Sequence, residues 1–438
     1  MSLVFKLEDI QPEDRQRVGG KGFALAVLFA HGFQVPHAVC VSSVAYSRYL
    51  QTTGLGERIA LELHRKNFED MRWEELWDAS LRIRNMFLNT PIPGALEKEL
   101  AEAIEKPFKD VSTVVRSTAP GEDSAGASFA GLHESYINIK GTPAILEHIR
   151  KVWASLWSDA ALLYRQELGL DTDESTMAVV VQEIVLGDRS GVAFCRNPND
   201  PTQAVVEGVY GLNQGMVDGT VAPDRWILDR ASKEVISHTP AEREKTVVPT
   251  PTGVRLASLP ARKAEAPPLN GHDVVEVLTM ALGAEAVFGA PQDVEWTYQK
   301  KRLFTLQSRP ITTTEDEEGY YSRSWYLSLR RSYENLQSLR ERIEGELIPE
   351  MIKAGDRLGA TDLTALSDDE LGQEIRRRQE IFEKWERVYW EEFIPFAHGS
   401  RLFGQVYNDT VRPDDPYEFT ELLGTGELVS MSRNRMLE

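Results

Sequence analysis

Residues 114–139, VVRSTAPGEDSAGASFAGLHESYINI, constrain this chain more than any other stretch. They open as a β-branched run that predicts a strand and brings Arg116 to its end. Small residues follow, Gly121, Gly126 and Gly131 among them, and then a second strand-like run over 135–139. Such a loop has little apolar surface to bury. Its backbone N–H groups can instead wrap an anion that the preceding arginine also holds, and polyphosphate is the candidate. A surface loop between two strands accounts for the same residues.

At 438 residues the chain has room for about three domains and more than one core. A formal net charge of −19 and a pI near 5.0 argue against nucleic acid and anionic membranes as partners, because both need a basic face. Positive charge for an anionic ligand must therefore be local. Cys40 and Cys195 lie far apart without CxxC or Cys/His spacing, which predicts neither a disulfide framework nor a zinc site and fits a reducing cytoplasm. The N-terminus runs directly into Lys6, Glu8 and Asp9, and no apolar run approaches the ~18 residues of a membrane span. Neither secretion nor membrane insertion is expected.

Near the start, Gly19-Gly20-Lys21-Gly22 precedes a helical pattern over 23–29. Lysine among glycines at a helix N-terminus suits a phosphate, although the spacing is not that of a P-loop and a turn with a solvated lysine looks the same. Residues 45–106 read as helical, with Trp73 and Trp77 in the core, and 142–168 read as one long amphipathic helix. A buried strand over 177–185 ends in Gln182 and Glu183. Adenine is often held where such a strand meets a connecting segment, and a core strand reaching the surface gives the same pattern. Further strands are expected over 191–196 and 204–207, with a hairpin over 225–237. Residues 239–269 read as a surface excursion, and helical periodicity returns over 273–288.

Residues 292–310 are two alternating strands around Gln299-Lys300-Lys301-Arg302, hence a β-hairpin. Period two places Asp293, Glu295 and Thr297 on one face, and likewise Thr305, Gln307 and Arg309. A carboxylate and an amide oxygen, Glu295 and Gln307, suit Mg²⁺, which takes oxygen ligands and leaves positions for substrate phosphate. Arg309 would clamp that phosphate. A solvated hairpin face with an ion pair is the plainer alternative.

Taken together, GGKG, VVRSTAPGEDSAGASFAGLHESY, VVVQEIV, GVYGLNQGMVDG and QDVEWTYQKKRLFTLQSRPIT, in this order over residues 15–313, resemble the N-terminal nucleotide-binding region of the phosphoenolpyruvate synthase and pyruvate phosphate dikinase family. Rifampicin phosphotransferases share that module, and the sequence is similar to them as well. The resemblance implies an α+β fold of ATP-grasp type. A first subdomain over 1–190 would carry the lysine and the glycine-rich lid, and a second over 191–315 the metal-binding hairpin. It implies that Lys21 and Arg116 contact ATP phosphates and that residues 120–131 close as a lid, with Gly131 and Ser135 near the nucleotide. Gln182, Glu183 and Ile184 would edge the adenine, Glu295 and Gln307 would hold Mg²⁺, and Arg309 would bind phosphate. In that family ATP passes its β-phosphate to a histidine on a swivelling domain, releasing AMP and phosphate, and the phosphohistidine then serves pyruvate or another acceptor.

The family's histidine stands in a TGGxxSH-like setting, and none of the eight histidines here does. His398, in Pro-Phe-Ala-His-Gly-Ser, is the nearest. The expectation is therefore an incomplete phosphotransferase, with the phosphocarrier domain supplied elsewhere in a longer chain or by a partner. Residues 316–438 read as a helical linker or acceptor-binding region. Ser367 to Glu370 form a capping box, and Leu371, Ile375, Phe382, Trp385, Tyr389 and Phe393 recur at helical spacing as a packing stripe. Two other functions fit the same residues: an ATP module feeding a small molecule such as a rifamycin, and a non-catalytic nucleotide-binding or scaffold protein.

Overall fold

The computed structural model describes residues 2–119, the paired dipeptides Asp123–Ser124 and Ala127–Ser128, and 134–170, 172, 175–197, 200–217, 219–251, 253–311 and 333–422. The chain divides into two compact units, Met1–Met71 with Met86–Glu315, and Arg72–Asn85 with Asp316–Glu438. The fold mixes helices with antiparallel sheets.

Among the described residues, fifteen strands lie in the first unit. They are β1 (Val4–Lys6), β2 (Ala38–Val41), β3 (Ser112–Thr118), β4 (Asp123–Ser124), β5 (Ala127–Ser128), β6 (Ser135–Lys140), β7 (Ala178–Glu183) and β8 (Arg189–Phe194), then β9 (Gln203–Tyr210), β10 (Asp224–Asp229), β11 (Val235–Thr239), β12 (Lys245–Thr250), β13 (Gly253–Ser258), β14 (Gln292–Gln299) and β15 (Arg302–Pro310). Among the described residues the first large sheet has the order β1-β2-β7-β3-β6 and the second β11-β10-β9-β8-β14-β15, while β12-β13 and β4-β5 each form a two-stranded sheet. In β7 the run Ala178 to Val181 is apolar without alternation because the strand is buried on both faces.

The second sheet alternates, and the alternation decides what its open face carries. Trp226, Val206, Ala193, Val294 and Trp296 pack with Val274, Leu278 and Ala281 of the helix Gly271–Phe288. That helix starts where Asn270 and Asp273 form a capping box and stops at Gly289 in the left-handed region. The opposite parity leaves Arg225, Glu207, Val192, Glu295 and Gln307 in register across five strands on the other face.

Three expectations change in this unit. Residues 142–168 form two helices, Thr142–Ser155 and Asp159–Glu167, because Ser158 accepts a hydrogen bond from Ala161 N at 3.2 Å and so caps a new start. The 239–269 excursion contains the β12–β13 hairpin. Asn138 on β6, itself at φ 63°, donates from Nδ2 to Thr250 O at 2.5 Å and Gly253 O at 2.8 Å, and so ties that hairpin to the first sheet. Asn138→Ala should lose both bonds and force a left-handed alanine, at a cost of about 2 kcal/mol. Amide exchange over residues 245–258 should then speed up, and Asn138→Gly, which tolerates the backbone, should cost about half as much. Finally, the glycines before residue 23 lie within the helix Arg15–Ala30, which is broken at Gly19.

The second unit is helical. Its principal helices Tyr333–Arg342, Ile348–Gly359, Asp368–Val388 and Ile394–Val411 are interrupted by π-turns at Ile343–Leu347 and Tyr389–Phe393. Pro349 and Pro395 follow those turns by two residues and lack the N–H that a regular helix would use there. Ser367 and Glu370 form the expected capping box. The expected stripe is only half buried: Trp385, Tyr389 and Phe393 are inside, while Ile375 and Phe382 are exposed. Trp73 and Trp77 are half-buried rather than core, and Trp73 Nε1 donates to Tyr389 OH at 2.8 Å. Arg84, buried, holds Asp409 with two nitrogens at 3.2 and 2.8 Å. The His398 side chain and residues 320–332 lie outside the described residues.

Candidate functional site

Gly19 has φ 71° and ψ 174°, so Gly20 and Lys21 begin a fresh helical run. A Cβ at residue 19 would stand 2.0 Å from Thr118 O, and only glycine lets this backbone lie against β3. Thr118 Oγ1 donates to Val18 O at 3.0 Å and accepts from Gly22 N at 3.1 Å, which fixes the approach. Lys21 Nζ then reaches Ser117 O at 3.3 Å. A cation in the first turn opposes the helix dipole, so lysine and helix end together favour an anion.

Arg116, next along β3, stands in register with Ser135 on β6 and Val180 on β7. Its Nη2 bonds Glu295 Oε2 at 2.9 Å across to the second sheet, and its Nη1 reaches Leu306 O at 3.5 Å. Gln182 Nε2 points to the same Leu306 carbonyl at 3.4 Å. That carbonyl is presented by a bulge: Glu295 pairs with Gln307 and Trp296 with Thr305, so Leu306 has no opposite number. The bulge also corrects the expected face. Thr305 turns to the helix side, where its hydroxyl meets Met280 Sδ at 3.0 Å, while Gln307 remains opposite Glu295. Arg309 holds Asp293 Oδ2 with Nε and Nη2, both at 2.7 Å.

Three carboxylates therefore share a face with different electrostatics. Burial by itself would raise the Glu295 carboxyl, but the charge and hydrogen bond of Arg116, then Arg309 and Lys21, hold it below its ordinary range. Burial pushes Asp293 up more than Arg309 pulls it down, with Glu295 and Glu207 adding to the rise. Glu207 is also raised by burial against the weaker pull of Arg225, 3.8 Å away. Sequence reasoning placed Asp293 on this face without giving it a role and missed Glu207. The alternation of β9 was visible in the sequence, whereas its register with β14 through β8 was not.

The structure thus brings Lys21, Arg116, Ser135, Gln182, Glu295, Gln307 and Arg309 to the seam between the two sheets. Glu183 ends β7 and Ile184 begins the connection to β8. Their N–H groups are engaged by His37 O at 2.7 Å and Ser112 O at 3.0 Å, so neither amide is a donor for a base. Gly131 lies outside the described residues. Cys40 and Cys195 are buried free thiols, pushed up to about 12 and about 11 by burial. Among the described residues no helix is long and apolar enough to cross a membrane.

Fold and site define an α+β protein with cations and carboxylates gathered on strands of its two large sheets. Residues 15–324 match the family described as pyruvate phosphate dikinase, AMP/ATP-binding domain, and the chain belongs to that family. It is 32% identical over 321 residues to a probable phosphoenolpyruvate synthase of Methanocaldococcus jannaschii, covering 72% of this chain and 27% of that protein. It is 31% identical over 316 residues to a rifampicin phosphotransferase of Bacillus subtilis, covering 71% and 36%. A rifampicin phosphotransferase of Streptomyces sviceus is 34% identical over 315 residues, again covering 71% and 36%. The chain spans about a quarter to about a third of the length of these three relatives.

Proposed function

We propose that this chain is the ATP-binding part of a phosphoenolpyruvate synthase-like phosphotransferase, with residues 1–190 and 191–315 as the two halves of an ATP-grasp module and 316–438 as a helical linker or acceptor-binding region. The observation that carries the reading is the meeting of Arg116 from one sheet with Glu295 from the other, with Gln307 paired to Glu295 and Asp293–Arg309 next along the hairpin. Lys21, Arg116 and Arg309 would neutralise the phosphate chain and align it, which is most of what phosphoryl transfer asks of a protein. Ser135 sits beside Arg116, and Gly131 would approach the nucleotide from the glycine-rich stretch. Gln182 with the carbonyls and side chains of Glu183 and Ile184 would edge the adenine.

The donor set suits Mg²⁺: Glu295 and Gln307 supply oxygens, and Asp293 Oδ1 is buried without a hydrogen-bond partner. Bound there, Mg²⁺ would offset the charge of the phosphate oxygens. The β-phosphate of ATP would pass to a histidine from outside residues 1–438, with water consumed and AMP and phosphate released. The same assay settles the acceptor, because the relatives divide between two. With the histidine domain of a phosphoenolpyruvate synthase added in trans, AMP and phosphate should form in equal amounts; ADP as the product, or no cleavage, would refute the proposal. Turnover is then run with pyruvate and with rifampicin.

A pH dependence follows from the raised carboxyls. Asp293 and Glu207 take up protons at a pH where a solvated carboxylate, with a pKa of about 4, is still ionised. Metal binding through Asp293 needs its ionised form, so Mg²⁺ affinity should fall as the pH drops toward that range. Titrations of Mg²⁺ between neutral and mildly acidic pH should show a shallower fall in Asp293→Asn than in the wild type.

A further inference from the structure

Buried amide side chains almost always find partners, because an unpaired donor or acceptor loses its water without compensation. Asn213 breaks this rule twice: it is only 9% exposed, and neither Oδ1 nor Nδ2 has a hydrogen-bond partner. Oε1 of the next residue, Gln214, is likewise buried and unpartnered. Among the described residues no other carboxamide has both its donor and its acceptor orphaned. The backbone around the pair is firmly placed. Gly211 N donates to Asp188 O at 3.0 Å, Ser190 Oγ donates to Gly211 O at 2.7 Å, and Leu212 N donates to Val247 O at 3.1 Å. Asp188 lies in the connection that begins at Ile184, and β12 belongs to the hairpin that Asn138 ties to the first sheet. The orphaned amides therefore sit at the connection end of the seam, whereas Lys21, Arg116 and Arg309 gather around Glu295.

We propose that Asn213, assisted by Gln214, recognises the adenosine half of the nucleotide, the carboxamide supplying one donor and one acceptor to a neutral group with the complementary pair. This rests on the ATP-binding reading above. A carboxamide carries no charge to offer phosphate, while its paired donor and acceptor match the amino group and neighbouring ring nitrogen of adenine.

The test uses Asn213→Leu and Asn213→Ala in the full chain, titrated with MgATP and with magnesium tripolyphosphate, beside thermal melts of the ligand-free protein. ATP affinity should fall about tenfold in both variants, as expected for one lost hydrogen-bonding group, with tripolyphosphate affinity unchanged. Asn213→Leu should also melt higher than the wild type, because it removes two unsatisfied atoms. Unchanged ATP affinity, an equal loss for tripolyphosphate, or a lowered melting temperature in both variants would overturn the assignment. Loss of ATP binding in Lys21→Ala with none in the Asn213 variants would refute this inference alone, whereas a wild type that binds no ATP refutes the underlying reading too.

Discussion

Arg116→Ala is expected to raise the dissociation constant for MgATP by at least about a hundredfold and to cost about 3 kcal/mol of folding stability. Both effects come from one geometry. Arg116 and Glu295 are each 18% exposed at the side chain, so removing the guanidinium strands a carboxylate that water reaches poorly. Arg309 and Lys21 still pull on Glu295, which keeps the cost at the low end of the range for a broken buried pair. The sign with pH is fixed by the depressed Glu295 carboxyl. Its contribution is present above the ordinary glutamate value of about 4.3 and is lost as pH falls through the lower folded value. Urea unfolding should therefore separate wild type and variant most at neutral pH and least in strong acid. Adding Glu295→Gln to Arg116→Ala should recover much of the stability and none of the ATP affinity, because it removes the stranded charge but not the need for a cation. Full ATP affinity in Arg116→Ala would sink the site assignment.

What the sequence made legible was local. Arg116 at the end of a β-branched run, Glu295 and Gln307 on facing strands, and Asn270 before a helical pattern follow from period, propensity and turn chemistry, all of which act within a few residues. Features set by distant partners were hidden. The bulge that turns Thr305 from Gln307 depends on how β15 meets β14 and its helix, and no residue in Leu-Phe-Thr-Leu-Gln announces it. Glu207 acquires its neighbours through β8, two strands from Glu295, although its own strand was visible. The break at Ser158 was written in the sequence as a serine before Asp159. A continuous apolar period masked it, since Leu156 and Leu163 suit one helix as well as two. The half-exposed stripe from Ile375 to Phe393 shows the same limit, because spacing defines a helix face but not how much of it another element covers.

Gly19→Ala is the second large expectation and tests whether the seat of Lys21 is as constrained as its geometry implies. Gly32→Ala supplies the comparison: residue 32 also has a positive φ, 82°, but a Cβ there meets nothing within 4 Å, so the substitution should cost only the left-handed penalty of about 1 kcal/mol. At residue 19 the same penalty is joined by a steric one. The new Cβ would lie 2.0 Å from Thr118 O and 2.4 Å from Thr118 Oγ1, and the first is backbone that cannot rotate away. The helix must lift from β3, breaking the Thr118 bonds to Val18 and Gly22, for a total of about 4 kcal/mol. Lifting it also carries Lys21 from Ser117, one residue from Arg116, so ATP affinity should fall together with the melting temperature. In Gly32→Ala, only the melting temperature should move. If Gly19→Ala melted no lower than Gly32→Ala, the close approach of helix and strand would not be what holds the lysine in place.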